Sequence, residues 1–377
     1  MGPEQTPFVD LPAALVADIL NQATSTGDLL INRFRDLKME REGYRRILKK
    51  KELIIQESSL GYPPLPTTCG TDGSYAIERL LFADLTAAAA VAVEGLTPPS
   101  EKRHWDQPHH LAFVRVEPHH PDTSTVLRAV MLGRELVLAA SAPHDLVMLD
   151  QTLTLPIIYF NQALNQAPHC PELSCSKEFL EHSLEYLAAY RSVLRPQRSD
   201  KHYVGLPKYS ARREIGQILQ SSEAHDDRGL LTFLLQAGEL TRPMKLEQPD
   251  QPWHLPGNLH AQADTLATDI INGLGEIFIF YYKPQEWLPA LRIETAKEVA
   301  LNQHRLAVVV QGLKHQSAVP SILEPYPLYL ADRTVKALAR AVPTFRQVAT
   351  QRLSERYEGD IGEVFFAMHG YRSESGR

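Results

Sequence analysis

Apolar residues recur at helical spacing over the first part of the chain. Residues 9–24 show this pattern, and a second helix is predicted over residues 27–55, through a segment rich in lysine and arginine. The proline-rich residues 62–66 then interrupt the helical pattern. We therefore predict an N-terminal helical arm over residues 1–60, followed by a region of sheet.

The periodicity changes from helical to alternating in the next segment. An extended run leads into Asp72, residues 76–96 are predicted as one or two strands that pair with it, and residues 111–116 as another. Asp72 lies in the sequence Thr-Asp-Gly-Ser. Asp-Gly is a strong hairpin-turn signal, whereas a carboxylate at a strand end between glycines is a common start of a metal site. The motif alone leaves both interpretations open.

A predicted buried helix carries the next acid. Residues 124–141 are apolar around most of a helix, and Glu135 lies among these apolar neighbours. An unpaired buried carboxylate costs several kcal/mol, so Glu135 requires a cation. Alternatively, Arg128 or Arg134 on the same helix supplies the charge, or Glu135 faces solvent. The short apolar strand that follows ends on Asp150.

The middle of the chain, about residues 156–270, is predicted as a mostly helical insertion. Within it, residues 203–208 have the pattern of a buried strand that delivers Lys208, either to a scissile phosphate or to solvent. Strand character returns at residues 276–282 and 288–294.

The C-terminal part is predicted to be helical over residues 296–313 and again from residue 333 to about 357. Asp332 near the start of the last helix acts either as a charge beside the helix dipole or as a fourth acid of a metal site. We accordingly expect a main domain over residues 61–345 and a helix end with a tail over residues 346–377.

The order of these elements predicts the fold class. Antiparallel strands, a helix carrying Glu135 and a strand ending on Asp150 follow each other as in an RNase H-like sheet. We therefore predict an α/β fold: an RNase H-like mixed sheet flanked by helices, with the N-terminal helical arm and the mostly helical insertion. Together with Asp72, these acids can hold two divalent cations roughly 4 Å apart, the arrangement used to hydrolyse a phosphodiester.

Composition and charge narrow the classes of function. The 377 residues are 44% hydrophobic and 22% charged with a net charge of −6, which argues against a protein that coats nucleic acid over its whole surface. Basic residues concentrate at 33–51 and 191–213, as solvated helix faces or as local patches. The sequence has no apolar run of membrane length and no signal-peptide pattern, so we expect a cytoplasmic protein without a membrane partner.

The cysteines and histidines give no zinc motif. Cys170 and Cys175 lack the spacing of a zinc knuckle, and we interpret them as structural cysteines. Two polar loops, residues 98–110 and 117–125, are rich in histidine, but the histidines are adjacent rather than spaced around one metal. Solvated loops are therefore favoured for His104, His109, His110, His119 and His120.

Taken together, the chain resembles the NurA nuclease family from about residue 66 to residue 340. The motifs that carry the resemblance are short, and their order and spacing make it specific. They are Thr71-Asp72-Gly73-Ser74, Arg134-Glu135, Leu149-Asp150, Val204-Gly205-Leu206-Pro207-Lys208, Leu291-Arg292-Ile293-Glu294 and Tyr326-Pro327-Leu328-Tyr329-Leu330-Ala331-Asp332. The family often has a histidine where this chain has Asp332.

The resemblance implies a DNA nuclease dependent on Mn²⁺ or Mg²⁺, with two ions expected. It would act as a single-stranded endonuclease, a 5′–3′ exonuclease or both, in DNA end processing or defence. Its implied partners are a second copy of the chain and a HerA-type hexameric ATPase that drives DNA. Asp72, Glu135, Asp150 and Asp332 would bind the metal, while Lys208 and Arg292 would stabilise the phosphate. The alternatives are a non-catalytic DNA-binding adaptor of such an ATPase and an enzyme that acts on RNA.

Overall fold

A computed structural model describes residues 11–221, 225–256 and 261–376. The strands within these ranges are β1 (Ile54–Gln56), β2 (Thr68–Leu80), β3 (Asp84–Glu94), β4 (His109–Glu117), β5 (Leu146–Leu149), β6 (His202–Gly205), β7 (Glu239–Thr241), β8 (Met244–Lys245), β9 (Ile277–Lys283), β10 (Leu291–Ala296) and β11 (Gly370–Gly376).

The helices lie between and after these strands. They are α1 (Ala13–Lys50), α2 (Thr123–Ser141), α3 (Leu155–Gln166), α4 (Ser174–Leu194), α5 (Glu214–Leu219), α6 (Asp227–Leu234), α7 (Ala261–Leu274), α8 (Lys297–Ala300), α9 (Gln303–Gln316), α10 (Tyr326–Arg356) and α11 (Ile361–Ala367). Among the described residues, no helix has both the length and the apolar character needed to span a bilayer.

One mixed sheet organises the molecule. Its strand order is β1-β7-β9-β10-β6-β5-β2-β3-β4, with β8 paired to β9 and β11 paired to β2. Strands β2, β3 and β4 form an antiparallel meander, whereas β5 runs parallel to both β2 and β6. An antiparallel meander extended by two parallel strands is the RNase H-like arrangement, so the predicted fold class is confirmed.

Helices cover both faces of this sheet. Ile279 and Tyr281 of β9 pack into the cluster that holds the buried side chains of α2, α3, α4 and α7. Phe280 and Tyr282 point the other way, into the cluster beneath α9 and the start of α10. This alternation is the period of two expected for a strand buried on both sides. We call the two sides the α2 face and the α10 face.

The arm differs from its predicted form. A single helix, α1, replaces the two predicted helices; it ends at Lys50, and Ile54 and Ile55 belong to β1. Residues 1–10 of the predicted arm lie outside the described residues. Ile19, Leu29 and other apolar side chains along α1 are exposed.

Two further boundaries differ in ways that matter for the site. Asp72 is neither in a hairpin turn nor at a strand end, because β2 continues to Leu80 and pairs Asp72 with Val91 of β3. Helix α10 starts at Tyr326, so Asp332 lies in its second turn instead of just before it. The range 156–270, predicted as mostly helical, also contributes strands β6, β7 and β8 to the sheet.

Candidate metal centre

Parallel pairing brings Asp150 beside Asp72. Thr71 of β2 is in register with Leu149 of β5, and the backbone N–H of Asp150 donates to the carbonyl of Thr71 at 3.2 Å. Alternation along β2 sends Ala76 and Leu80 to the α10 face. Asp72 is an even number of residues from both, so it lies on the same face of β2. Asp150 is two residues after Met148, which also packs on the α10 face. Both carboxylates are therefore directed toward α10.

A glycine lets α10 deliver the third carboxylate. A Cβ atom at Gly70 would lie 2.6 Å from the backbone carbonyl carbon of Pro327, closer than real Cβ contacts allow. The start of α10 can thus lie directly on β2, which brings Asp332 over the strand. Carboxylate oxygens of Asp72, Asp150 and Asp332 lie within 4.8 Å of one another, and all three residues are buried. We call these three residues the aspartate cluster.

Glu135 approaches the cluster from the opposite side of the sheet. A Cβ atom at Gly73 would lie 2.9 Å from Met131 Cγ and 3.5 Å from Glu135 Oε2. The absence of a side chain at Gly73 therefore allows α2 to pack close to β2. The hydroxyl of Thr71 donates to Glu135 Oε1 at 3.5 Å. Burial, and then the charges of Asp72 and Asp150, raise the pKa of Glu135 well above its ordinary value.

The two arginines of α2 do not supply the charge for Glu135. Arg134 pairs with Glu178 of α4 and donates to the carbonyl of Ala112, while Arg128 donates to the hydroxyl of Tyr159. Glu135 is 2% exposed, which also rules out the solvent-facing alternative. Glu135 is thus a buried carboxylate beside other acids, and its requirement for a cation stays a prediction.

Lys208 lies among the carboxylates rather than in solvent. Its Nζ is 2.8 Å from Asp150 Oδ2, 3.3 Å from Asp332 Oδ1 and 2.8 Å from Glu324 Oε2, and its side chain is 23% exposed. Lys208 follows β6 by three residues. Just after β6, the N–H of Leu206 donates to the carbonyl of Leu149 at 2.9 Å, which keeps this segment beside β5. An ammonium in this position lowers the repulsion between the acids.

Two residues at this site were missed by sequence reasoning. Glu324 precedes Pro325, the cap of α10, and an acid just ahead of a helix is an ordinary feature with no specific signal. Arg228 of α6 donates to the backbone carbonyl of Lys208, and its charge is close enough to interact with Glu324 and Asp150. Arg228 is a basic residue of the helical middle region, and no motif or spacing in the sequence places it at this site.

Arg292 contacts a different set of side chains. It is buried in β10, donates to the hydroxyl of Tyr281 at 2.6 Å, and pairs with Glu294 at 3.1 Å and Glu214 at 3.5 Å. Its side chain is 1% exposed. The structure therefore does not bring Arg292 to the aspartate cluster, and its guanidinium is held by internal partners.

A cavity of about 460 Å³ adjoins Lys208 along the chain. Pro207 and Tyr209, the neighbours of Lys208, line it together with Arg212 and Thr152, and the internally paired Arg292 lies in its wall. Tyr209 is 92% exposed and presents an aromatic ring at the rim. An open cavity with basic and aromatic side chains next to an acidic cluster has the character of a site for a nucleotide chain.

The aspartate cluster fits a hard divalent cation. Its donors are all carboxylate oxygens, the type that Mg²⁺ and Mn²⁺ prefer over nitrogen or sulfur. Burial raises the pKa of Glu135 most, and the charges of Asp72 and Asp150 raise it further; a cation beside the aspartates would offset this second effect. The residues present therefore fit one or more such ions.

The fold is similar to three crystal structures of proteins described as NurA. The NurA nuclease from Sulfolobus solfataricus aligns with a TM-score of 0.60 and 14% identity, covering 90% of this chain and 98% of that one. A structure of NurA gives 0.55 and 13%, covering 91% and 99%. One of NurA with manganese gives 0.53 and 13%, covering 89% and 99%. No family model and no curated protein sequence matches the chain.

Proposed function

We propose that the chain is a NurA-type nuclease that hydrolyses phosphodiester bonds of DNA with the help of a divalent metal. The observation that carries this proposal is the aspartate cluster, formed where β2, β5 and α10 meet in a fold shared with NurA structures. Three buried carboxylates whose oxygens lie within 4.8 Å of one another carry more negative charge than the single ammonium of Lys208 balances, which favours a site for cations.

The roles of the residues follow from their positions. Asp72, Asp150 and Asp332 would hold the metal, with Glu135 as the bordering fourth carboxylate. When bound, Mn²⁺ or Mg²⁺ supplies activation of the attacking water and neutralisation of charge on the phosphate. Lys208 would then contact a phosphate oxygen, because its ammonium already lies at the cluster and would no longer be held by the aspartates.

The surroundings support a DNA substrate. Arg228 and Arg212 add positive charge on the side of Lys208, where a phosphate backbone would need it. The exposed ring of Tyr209 offers a surface on which a base can stack. A single strand reaches such a cavity more easily than a duplex, which favours action on single strands; single-stranded endonuclease or 5′–3′ exonuclease activity is proposed from the resemblance to the NurA family alone.

The partners remain part of the proposal. A HerA-type ATPase is proposed because the resemblance to the NurA family implies such a partner. A homodimer is proposed, and the apolar side chains exposed along α1, such as Leu29, Leu30 and Phe34, are available for its interface. Light scattering and ATP-stimulated cleavage with the ATPase test these two points separately.

The central test is a nuclease assay on end-labelled single- and double-stranded DNA with Mn²⁺, Mg²⁺ or a chelator. We expect cleavage that requires the metal and falls by about 100-fold or more in Asp72→Asn, Asp150→Asn and Asp332→Asn. Asp200→Asn is the matched control, because Asp200 is 61% exposed and paired with Arg198. Cleavage that survives Asp72→Asn would overturn the assignment.

One observation favours a second candidate, a DNA-binding adaptor without catalysis. Lys208 already pairs with Asp150, Asp332 and Glu324, as in a site whose charge is balanced internally. Equilibrium dialysis with Mn²⁺ separates the two candidates. Intact DNA binding without Mn²⁺ uptake would favour the adaptor, whereas uptake lost in Asp150→Asn supports the nuclease.

A further inference from the structure

A second cluster of potential metal ligands has a different chemistry from the aspartate cluster. It consists of His120 and Asp122, in the loop between β4 and α2, and Cys170 and Glu172, in the turn between α3 and α4. Cys170 is buried and the other three are partly exposed. None of the four takes part in the proposed nuclease site.

Three atoms of this cluster form a nearly equilateral triangle. His120 Nδ1 lies 3.9 Å from Cys170 Sγ and 3.8 Å from Asp122 Oδ2, and Sγ lies 3.9 Å from Oδ2. The centre of this triangle is about 2.2 Å from each atom, and an ion above its plane, as in tetrahedral coordination, would be about 2.4 Å from each; zinc bonds are about 2.3 Å to sulfur and 2.0–2.2 Å to nitrogen and oxygen. The triangle therefore has the size of one face of a zinc site.

The histidine tautomer also fits metal binding through Nδ1. The backbone N–H of Asp122 donates to His120 Nδ1 at 3.2 Å, so Nδ1 carries a lone pair and the ring proton belongs on Nε2. Nε2 lies 3.8 Å from Glu172 Oε1. A carboxylate facing the distal nitrogen is the usual partner of a metal-bound histidine, where it fixes the tautomer. A metal ion would replace the backbone hydrogen bond at Nδ1.

The neighbouring histidine shows that the cluster is not a general feature of the loop. His119 turns away, with its Nδ1 2.7 Å from Asp84 Oδ1. The adjacent pair of histidines is thus divided between two partners. Spacing along the chain, which disfavoured a metal site here, does not show that the second histidine meets a cysteine 50 residues later.

We propose that His120, Asp122 and Cys170 bind Zn²⁺, with Glu172 as the carboxylate that orients His120. One thiolate, one imidazole and one carboxylate match the mixed preference of Zn²⁺ and differ from the all-oxygen donors of the aspartate cluster. The ion would join the loop before α2 to the turn before α4. Glu117 already links these segments by accepting the N–H groups of Ser174 and Cys175 at 2.7 and 2.8 Å. The proposed site would therefore be a structural link next to the N-terminus of α2, the helix that carries Glu135.

The test is metal binding to the purified full-length chain after chelator treatment. Co²⁺ substitutes for Zn²⁺ and gives a thiolate charge-transfer band that the aspartate cluster cannot produce, because it contains no sulfur. We expect this band in the wild-type protein, its removal by added Zn²⁺, and an increase of the melting temperature with Zn²⁺. We expect Cys170→Ser and His120→Gln to lose the band, and Glu172→Gln to weaken Zn²⁺ binding by about tenfold.

Cys175→Ser is the matched control, because Cys175 is buried only five residues further along the chain and should leave the band unchanged. Asp122→Asn removes a ligand that is partly exposed, so this variant should fold. It tests the site if Cys170→Ser does not fold. Absence of a thiolate band in the folded wild-type protein would overturn the proposal. A band that persists in Cys170→Ser, or that Cys175→Ser abolishes, would overturn it as well.

Discussion

The Nζ of Lys208 lies 2.8 Å from Oδ2 of Asp150, so the aspartate cluster contains its own cation. Under the proposed function, a lysine there would compete with a metal ion for the carboxylates and, once displaced from them, would lie close to the substrate. The ammonium would weaken metal binding but would promote catalysis. These two effects can therefore be separated by one substitution.

We expect Lys208→Met to bind Mn²⁺ more tightly than the wild type, because the competing ammonium is gone. DNA cleavage should nevertheless fall by about 100-fold, since one charged contact to the phosphate is lost. Titration of Mn²⁺ by calorimetry and single-turnover cleavage measure the two quantities. Lys336→Met is the control: Lys336 also pairs with Asp332, at 2.8 Å, but is 57% exposed, so its effect should stay within about threefold. Equal losses in both variants would contradict a specific role for Lys208.

The close contact between Gly70 and α10 gives a second prediction. A methyl group at Gly70 would meet the backbone of Pro327 and Leu328, which cannot move as a side chain can. Gly70→Ala should lower the free energy of unfolding by about 1–3 kcal/mol and weaken Mn²⁺ binding, because Asp332 is pushed away from Asp72. Urea denaturation and Mn²⁺ titration measure these effects.

Gly27→Ala is the control for that variant. No heavy atom lies within 4 Å of a Cβ at Gly27, which is inside α1, so alanine should stabilise the helix by up to about 1 kcal/mol. Unchanged unfolding and Mn²⁺ affinity in Gly70→Ala would show that α10 is not held against β2 as described.

The sequence predicted the fold class because the hydrophobic periodicity changes from strand to helix and back to strand in the RNase H-like order. Alternating strands before Glu135 and a short apolar strand before Asp150 determine the meander and the first parallel strand. The role of Asp72 was left open for a physical reason. Asp-Gly signals a turn locally, but Gly73 is needed for the contact with Met131 of α2, which no local pattern reveals.

Contacts between distant segments could not be predicted. Asp332 reaches the cluster only because α10 begins at Tyr326 and crosses Gly70. The pairing of Lys208 with Glu324 depends on how the end of β6 meets the loop before α10. The internal role of Arg292 did leave a signal. Arg292 and Glu294 are two residues apart on an apolar strand, so they share a face and can pair there.

Burial of Arg292 gives a prediction that distinguishes stability from substrate binding. Arg292→Met leaves Glu294 and Glu214 without their shared cation in the interior, which should cost about 3–5 kcal/mol in the free energy of unfolding. Arg212→Met, at the rim of the same cavity and 41% exposed, should weaken DNA binding without destabilising the protein. Unchanged stability with weakened DNA binding in Arg292→Met would instead support the predicted contact between Arg292 and the phosphate.

The pH dependence of stability has a source in His144, which is fully buried. Its ring packs against Trp105 at 4.6 Å between centroids, and Nε2 lies 3.6 Å from Glu94 Oε2. Burial lowers the pKa of His144 from 6.5 to about 4, although Glu94 acts in the opposite direction. Between these pH values the unfolded chain binds a proton at this residue and the folded chain does not. The free energy of unfolding should therefore rise from pH 4 to pH 6.5, by about 3 kcal/mol from His144.

Replacing the imidazole tests this origin. In His144→Gln the rise between pH 4 and pH 6.5 should flatten, measured by urea denaturation at a series of pH values, because the residue no longer titrates. His182→Gln removes a histidine whose side chain is 40% exposed on α4 and should keep the wild-type slope. The difference between the two variants is the contribution of a buried neutral histidine, since both lose one imidazole and only His144 is shielded from water. If the free energy of unfolding rises with pH equally in His144→Gln and the wild type, the rise comes from other titrating groups.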